Sequence, residues 1–212
     1  MRLGVYGGTF DPIHLGHLIL AEACREACRL DRVWFLVTGS PPHKLGGRTD
    51  VAHRLEMARL AVAGHPHFEV SDREARGPGP HYSVETLEAL RAERPDDDLF
   101  FLIGADSLVD LPHWREPARI LELAGLVVAN RPSFEPPAVD APADARPIHH
   151  VAIPPIGIAS HEIRRLRHEG RSVRYQVPRA VEAYIDAHGL YRPDIIEDRP
   201  NAHPTERRTG PP

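Results

Sequence analysis

The sequence predicts an α/β fold, a doubly wound and mostly parallel sheet followed by C-terminal helices. Three observations carry this prediction. Short apolar segments alternate with amphipathic helical patterns along most of the chain. Two of these segments, 32–38 and 99–103, are almost continuously apolar, as in strands that are covered on both faces. The chain has 212 residues and 42% hydrophobic content, which is enough to bury one sizeable core.

The predicted elements follow one another in strand–helix order. The segments predicted as strands are 2–7, 32–39, 67–72, 98–106, 125–132 and 149–155. The segments predicted as helices are 14–28, 50–64, 83–95, 115–124, 160–170 and 178–190. The stretch 133–147 is rich in proline and alanine and is predicted to be a surface loop. Because 192–212 has much proline and little periodicity, we expect one domain at 1–191 and a mostly disordered tail.

Charge and composition narrow the classes of partner. The formal net charge is −4, which gives no electrostatic reason to expect a nucleic-acid polymer or an anionic membrane. No apolar run approaches the roughly 18 residues that cross a bilayer, and the N-terminus lacks the pattern of a signal peptide. Cys24 and Cys28 are four apart in a helical pattern, a spacing that disfavours a disulfide. We therefore expect a cytoplasmic protein, a monomer or a small homo-oligomer.

The segment GGTFDPIHLGH, residues 7–17, joins the first predicted strand to the first helix. Gly7 and Gly8 let backbone amides approach a ligand, and the start of the helix offers free N–H groups to an anion. His14 and His17 are three apart and share one helix face, while Gly16 places no side chain between them. The pattern predicts a phosphate pocket with two imidazoles as hydrogen-bond donors. The GxGxxG and GxxxxGK[ST] patterns of other nucleotide sites are absent from the sequence.

This segment resembles the signature of the HxGH nucleotidyltransferases, and its longer form is similar to that of the bacterial nicotinate-mononucleotide adenylyltransferases. The resemblance extends to about residue 191 and implies a Rossmann-like nucleotidyltransferase fold. The resemblance implies that six residues of the segment bind ATP: Gly7, Gly8, Thr9, Phe10, His14 and His17. The loop SPPHK, 40–44, matches the family loop whose lysine reaches ATP phosphates, here Lys44.

The second ATP motif implied by the resemblance is IASHEIRRL, 158–166, which is similar to the family pattern ISSTxIR. That motif binds the triphosphate at a helix N-terminus. Ser160 and Arg164 keep their places, whereas Ala159 and His161 replace two hydroxyl residues. His161 is a candidate phosphate donor in place of the missing threonine.

Three further matches imply the acceptor site. GPHYSVETLEAL, 79–90, places Tyr82 and Ser83 at the nicotinate; Ser83 could also be the N-cap of the following helix. LIGADSLVDLPHWRE, 102–116, supplies Gly104, Asp106 and Trp114, with the carboxylate at ribose hydroxyls and the indole stacked on the nicotinate ring. ANRP, 129–132, places Arg131 near the site.

The resemblance implies that ATP and nicotinate mononucleotide give deamido-NAD and pyrophosphate. The phosphate of the mononucleotide attacks the α-phosphorus, so neither a general base nor an enzyme nucleophile is needed. The residues that stabilise the charge on the α-phosphate during adenylyl transfer would be His14, His17, Lys44 and Arg164. Mg²⁺ is the expected cofactor, held mainly by ATP phosphates and water, with no protein ligand assigned.

Two alternatives stay open. Another phosphorylated acceptor, such as nicotinamide mononucleotide or phosphopantetheine, could take the adenylyl group. The substitutions at Ala159 and His161 could instead indicate a nucleotide-binding module with weak catalysis. An aminoacyl-tRNA synthetase, which carries a related histidine motif, is disfavoured by the chain length, the acidic net charge and the lack of an evident anticodon-binding region.

Overall fold

Within the described residues the sheet has six strands, all parallel, in the order β3-β2-β1-β4-β5-β6. The computed structural model describes residues 1–39, 49–77, 79–130, 139 and 141–193. The strands are β1 (Arg2–Gly8), β2 (Arg32–Val37), β3 (Phe68–Ser71), β4 (Asp98–Gly104), β5 (Gly125–Asn130) and β6 (Ile148–Ala152). The chain runs outward from β1 to β3 and then returns to β4 on the other side of β1. The doubly wound, Rossmann-like prediction is confirmed.

Helices cover both faces of this sheet. They are α1 (Leu15–Ala27), α2 (Val51–Val62), α3 (Ser83–Glu93), α4 (Ala105–Asp110), α5 (Pro117–Leu123), α6 (Ser160–His168) and α7 (Arg179–Ala187). Short 3₁₀ helices occupy Arg73–Ala75 and Leu111–His113. No helix in the described part of the chain is long and apolar enough to cross a membrane.

Two apolar layers hold the helices to the sheet. One contains the buried sides of α1, α2, α6 and α7, which include Cys24, Met57, Ile163 and Val181. The other contains the buried sides of α3, α4 and α5. The run from Leu99 to Ile103 in β4 is buried throughout, because a central parallel strand meets helices on both faces.

The predicted strand 98–106 is too long. β4 ends at Gly104, and Ala105–Asp110 form α4, a helix too short to show a periodic pattern. Asp106 lies in the first turn of α4, where a carboxylate interacts favourably with the helix dipole. In the predicted loop, 141–147 form neither helix nor strand. The tail from 194 onward lies outside the described residues.

Candidate active site

Two adjoining cavities lie where the strand order reverses, between the carboxyl ends of β1 and β4. Their volumes are about 340 Å³ and about 620 Å³. Five residues line both: Tyr6, His17, Leu20, Gly104 and Asp106. A topological switch point is the usual ligand site of an open parallel sheet. The cavities offer two ligand compartments that meet at His17.

The two signature histidines form one stacked pair. His14 is the N-cap of α1 and His17 lies three residues later, with ring centroids 3.6 Å apart and planes inclined by 22°. The backbone N–H of His14 donates to Nδ1 of His17 at 3.1 Å. Because an accepting ring nitrogen carries no proton, the proton of neutral His17 lies on Nε2, which is therefore a donor. The prediction that both rings share one face of the helix start is confirmed.

Burial keeps both imidazoles neutral. It lowers the pKa of His14 from 6.5 to about 4. It also lowers the pKa of His17 well below 6.5, and the neighbouring His14 adds to that effect. Nδ1 of His14 is buried and has no hydrogen-bond partner within the described residues. At neutral pH the pair thus contributes hydrogen-bonding dipoles, whereas positive charge must come from arginine or lysine.

Residues 7–14, here called the signature turn, are packed tightly around Phe10. Phe10 has a positive φ of 48°, and its ring lies edge-on to His17 with centroids 5.0 Å apart. A Cβ at Gly8 would lie 2.8 Å from the Phe10 ring, so any other residue there would displace that ring. At Gly16 a Cβ would lie 3.0 Å from Nδ1 of His14. The glycines therefore allow the close packing on which the positions of both histidines depend.

Arg54 of α2 supports this turn from inside and was missed by the sequence analysis. Its side chain is fully buried and donates to four backbone carbonyls, those of Thr9, Thr38, Gly39 and Thr49, at 2.7–3.1 Å. These carbonyls lie after β1, after β2 and before α2. A charged residue in a helical pattern usually indicates a solvated face, so the sequence carried no signal for this role.

The start of α6 is joined to the signature turn by two hydrogen bonds. The hydroxyl of Ser160 donates to the Pro12 carbonyl at 2.9 Å, and Nη1 of Arg164 donates to the Asp11 carbonyl at 2.7 Å. Ser160 and Arg164 line the larger cavity. The side chain of His161 is 72% exposed and lies 4.0 Å from Glu162. The two halves of the expected ATP site are therefore in direct contact.

The larger cavity brings the expected acceptor residues together. Tyr82, Ser83, Gly104, Asp106 and Trp114 all line it. The indole of Trp114 meets Phe101 edge-on, with ring centroids 6.1 Å apart. The N-cap of α3 is Tyr82 and the helix begins at Ser83, so the alternative that Ser83 is the cap is wrong. Tyr82 already has the extended backbone of a cap, which leaves Ser83 inside the first turn.

Arg115 and Glu74 also line this cavity and were not singled out from the sequence. The guanidinium of Arg115 lies 4.7 Å from the centroid of the Tyr82 ring and pairs with Glu85 at 2.7 Å. Glu74 is buried and accepts the hydroxyl proton of Thr86 at 2.8 Å. Arg115 directly follows Trp114 in the sequence, and that position next to an expected site residue could have identified it. Glu74 lies in the short 3₁₀ helix Arg73–Ala75, and no motif in the sequence indicated a role for it.

Two expected site residues, Lys44 and Arg131, lie outside the described residues. Their roles stay predictions. The described residues bring together the other members of the expected set around the two cavities.

The fold and the paired cavities define an α/β protein with its ligand site at the switch point of a parallel sheet, and comparison with known proteins gives its class. A model of the family "Cytidylyltransferase-like" matches residues 5–166. A "Probable nicotinate-nucleotide adenylyltransferase" of Thermomicrobium roseum is 53% identical over 199 residues, which covers 90% of this chain and 92% of that protein. A protein of the same name from Thermus thermophilus is 50% identical over 192 residues, which covers 91% of this chain and 100% of that protein.

Solved structures agree on the fold. A Plasmodium falciparum nicotinic acid mononucleotide adenylyltransferase complexed with NaAD has a TM-score of 0.74 at 18% identity, covering 90% of this chain and 97% of the other. The chain belongs to the cytidylyltransferase-like family and, within it, to the nicotinate-nucleotide adenylyltransferases.

Proposed function

We propose that this protein transfers the adenylyl group of ATP to nicotinate mononucleotide, giving deamido-NAD and pyrophosphate. The observation that supports it most is the meeting of two cavities at His17, because a transfer between two nucleotides needs both in contact at one phosphorus. The relatives named above carry the name of this activity.

In this proposal, the smaller cavity takes the adenosine of ATP. Gly16 lines this cavity without a side chain, and Ile153, Ile156 and Ile158 contribute apolar side chains to it. A cavity that combines apolar side chains with polar groups such as Asp106 suits a flat purine and its ribose. The triphosphate then extends past His14 and His17 toward the start of α6.

The mononucleotide takes the larger cavity. Trp114 and Tyr82 offer aromatic surfaces to the pyridine ring. The first turn of α3, which begins at Ser83, offers backbone N–H groups and the positive end of a helix dipole to the nicotinate carboxylate. Arg115 adds a guanidinium to the same wall. These groups favour an acid over the neutral amide of nicotinamide.

The chemistry is a single in-line displacement. A phosphate oxygen of the mononucleotide forms a bond to the α-phosphorus of ATP, and the bond to the leaving pyrophosphate breaks. The phosphate monoester is already ionised at neutral pH, so the protein need not remove a proton from it. Its task is to position two polyanions and to stabilise the charge on the pentavalent phosphorus.

Each proposed donor has a defined part in that task. His17 lines both cavities, and its Nε2–H would be a neutral donor to the α-phosphate at their junction. Arg164 supplies a permanent positive charge at the start of α6. Lys44 would supply a second charge, and the amides of residues 7–10 would hold the phosphates closely.

Mg²⁺ would accompany ATP as the expected cofactor. Around the proposed phosphate path, the side chains of His14, His17 and Arg164 present N–H donors, which suit phosphate oxygens, whereas Mg²⁺ takes oxygen ligands. The fit is therefore to an ion held by ATP phosphates and water, which would neutralise charge on the polyphosphate. Within the described residues, no three His, Cys, Asp or Glu side chains cluster as a metal site.

A cytoplasmic location is part of the proposal. Cys24, on the buried side of α1, and Cys28, the C-cap of α1, are both free thiols, as expected of a reduced protein. ATP and the mononucleotide are the proposed partners, with no nucleic-acid polymer.

Product analysis tests the proposed reaction. The full chain is incubated with ATP, Mg²⁺ and nicotinate mononucleotide, and the products are separated by chromatography. We expect deamido-NAD and pyrophosphate in equal amounts. Faster pyrophosphate release with phosphopantetheine would contradict the proposed acceptor, and ATP binding without any pyrophosphate would favour a binding module instead.

A further inference from the structure

The carboxylate of Asp11 lies at a junction of three chain segments. The side chain is only 5% exposed although it is acidic. Oδ1 accepts the hydroxyl proton of Tyr191 at 2.7 Å, and Oδ2 accepts the backbone N–H of Thr49 at 3.4 Å. A buried carboxylate is stable only when such donors satisfy it. Asp11 thus connects the signature turn to the residues before α2 and after α7.

Tyr191 reaches this junction from the far end of the described chain. It lies four residues after α7 and 180 residues from Asp11 in sequence. Burial and the charge of Asp11 raise the pKa of Tyr191, so the phenol stays protonated and donates at any physiological pH.

The backbone next to this carboxylate carries the second half of the proposed ATP site. The carbonyls of Asp11 and Pro12 accept the hydrogen bonds of Arg164 and Ser160. A displacement of the backbone at Asp11 and Pro12 would therefore move these carbonyls relative to Arg164 and Ser160 at the start of α6.

We propose that Tyr191 is a positioning residue for adenylyl transfer: through the Asp11 carboxylate, its hydroxyl holds the signature turn against the start of α6. The inference rests on the proposed function for its reaction, but the contacts that carry it are independent of the acceptor. Tyr191 itself does not line either cavity. It acts on the phosphate donors only through the turn.

Two single-hydroxyl deletions test this role. Tyr191→Phe removes the hydrogen bond to Asp11 and leaves the ring. Tyr184→Phe is the matched control on α7, because it also deletes one hydroxyl, here bonded to His53 Nδ1 at 2.9 Å, away from the cavities. We expect a lower melting temperature for Tyr191→Phe than for Tyr184→Phe, because the buried Asp11 carboxylate loses a donor, so kcat is measured well below both unfolding transitions. We expect kcat to fall at least tenfold in Tyr191→Phe and less than twofold in Tyr184→Phe; equal kcat values would overturn the proposal.

A double-variant cycle shows whether the effect runs through Asp11. In an Asp11→Ala background there is no carboxylate to hold, so adding Tyr191→Phe should change kcat by less than twofold. The same tenfold loss in both backgrounds would overturn the proposal. Should Tyr191→Phe fail to fold, Asp11→Asn is compared with Asp11→Ala. Asn keeps an acceptor for Tyr191, so we expect its kcat to be at least fivefold higher, and equal values would contradict the role.

Failure of the proposed reaction can be distinguished from failure of the positioning role of Tyr191. If the unmodified chain releases no pyrophosphate with any mononucleotide, the proposed reaction is wrong. The two tyrosine variants are then compared by the Kd of ATP in calorimetry. We expect Tyr191→Phe to weaken ATP binding at least threefold relative to Tyr184→Phe, and an unchanged Kd would refute the positioning role.

Discussion

Replacement of His17 by asparagine separates the two hydrogen-bonding roles of this ring. The amide oxygen of Asn lies near the position of Nδ1, so it can still accept the N–H of His14, which now donates at 3.1 Å. Asn does not reach the position of Nε2, so the proposed donor to the α-phosphate is lost. Removal of one preorganised donor of this kind costs about 2.7–4 kcal/mol of transition-state stabilisation. We therefore expect kcat to fall by about 10²–10³-fold in His17→Asn.

The matched variant is His17→Gln, whose amide reaches toward Nε2 but cannot accept at Nδ1. It should retain more activity and lose more stability, because the N–H of His14 is then left without its acceptor. Both variants are measured as initial rates of pyrophosphate release at saturating ATP, with melting temperatures alongside. Near-normal kcat in His17→Asn would refute the assigned role, as would a loss in Gln equal to that in Asn.

Three further predictions concern stability and acceptor binding. The pKa of His14 is about 4 in the folded protein, below the value of 6.5 in the unfolded chain. The stability that depends on the neutral ring is therefore fully present above pH 6.5 and is lost as the pH falls toward 4. Urea unfolding should show about 2 kcal/mol less stability at pH 5 than at pH 7 from this group, and His14→Asn should reduce that difference. Trp114→Ala should raise the KM of the mononucleotide about tenfold and barely change that of ATP, because stacking is lost in one cavity only; equal rises would contradict this. Gly39→Ala would place Cβ 2.5 Å from the Glu74 carbonyl and should cost about 1–3 kcal/mol in urea unfolding, whereas an unchanged midpoint would refute that contact.

The sheet was predictable because its signal is local and repeated. Each buried parallel strand is a short apolar run, and each is followed by an amphipathic helix, so the run 99–103 identifies β4 without any tertiary information. α4 was not predicted, because six residues hold less than two helical turns and show no periodicity. The helix α4 begins at Ala105, directly after β4 ends at Gly104, so its start is set by the end of that strand.

The candidate site was predictable where one motif places several groups together. The spacing of His14 and His17 alone fixes their common face, and the structure shows their rings stacked. The supporting contacts were not predictable, because they join distant segments. Arg54 reaches carbonyls after two different strands, and Asp11 meets Tyr191 across 180 residues. A buried charge is stabilised by its partners in the folded protein, and the residues next to it in the sequence do not identify those partners.

The central claim is that the larger cavity selects a nicotinate ring and delivers its mononucleotide to ATP at His17. The most direct test is a steady-state comparison of kcat/KM for nicotinate and nicotinamide mononucleotides with saturating ATP and Mg²⁺. The N–H groups of the first turn of α3 and the guanidinium of Arg115 favour a carboxylate over an amide. We predict a kcat/KM at least tenfold higher for nicotinate mononucleotide, since one charge-assisted hydrogen bond contributes about 1.5–3 kcal/mol. Equal values, or a preference for the amide, would contradict the account.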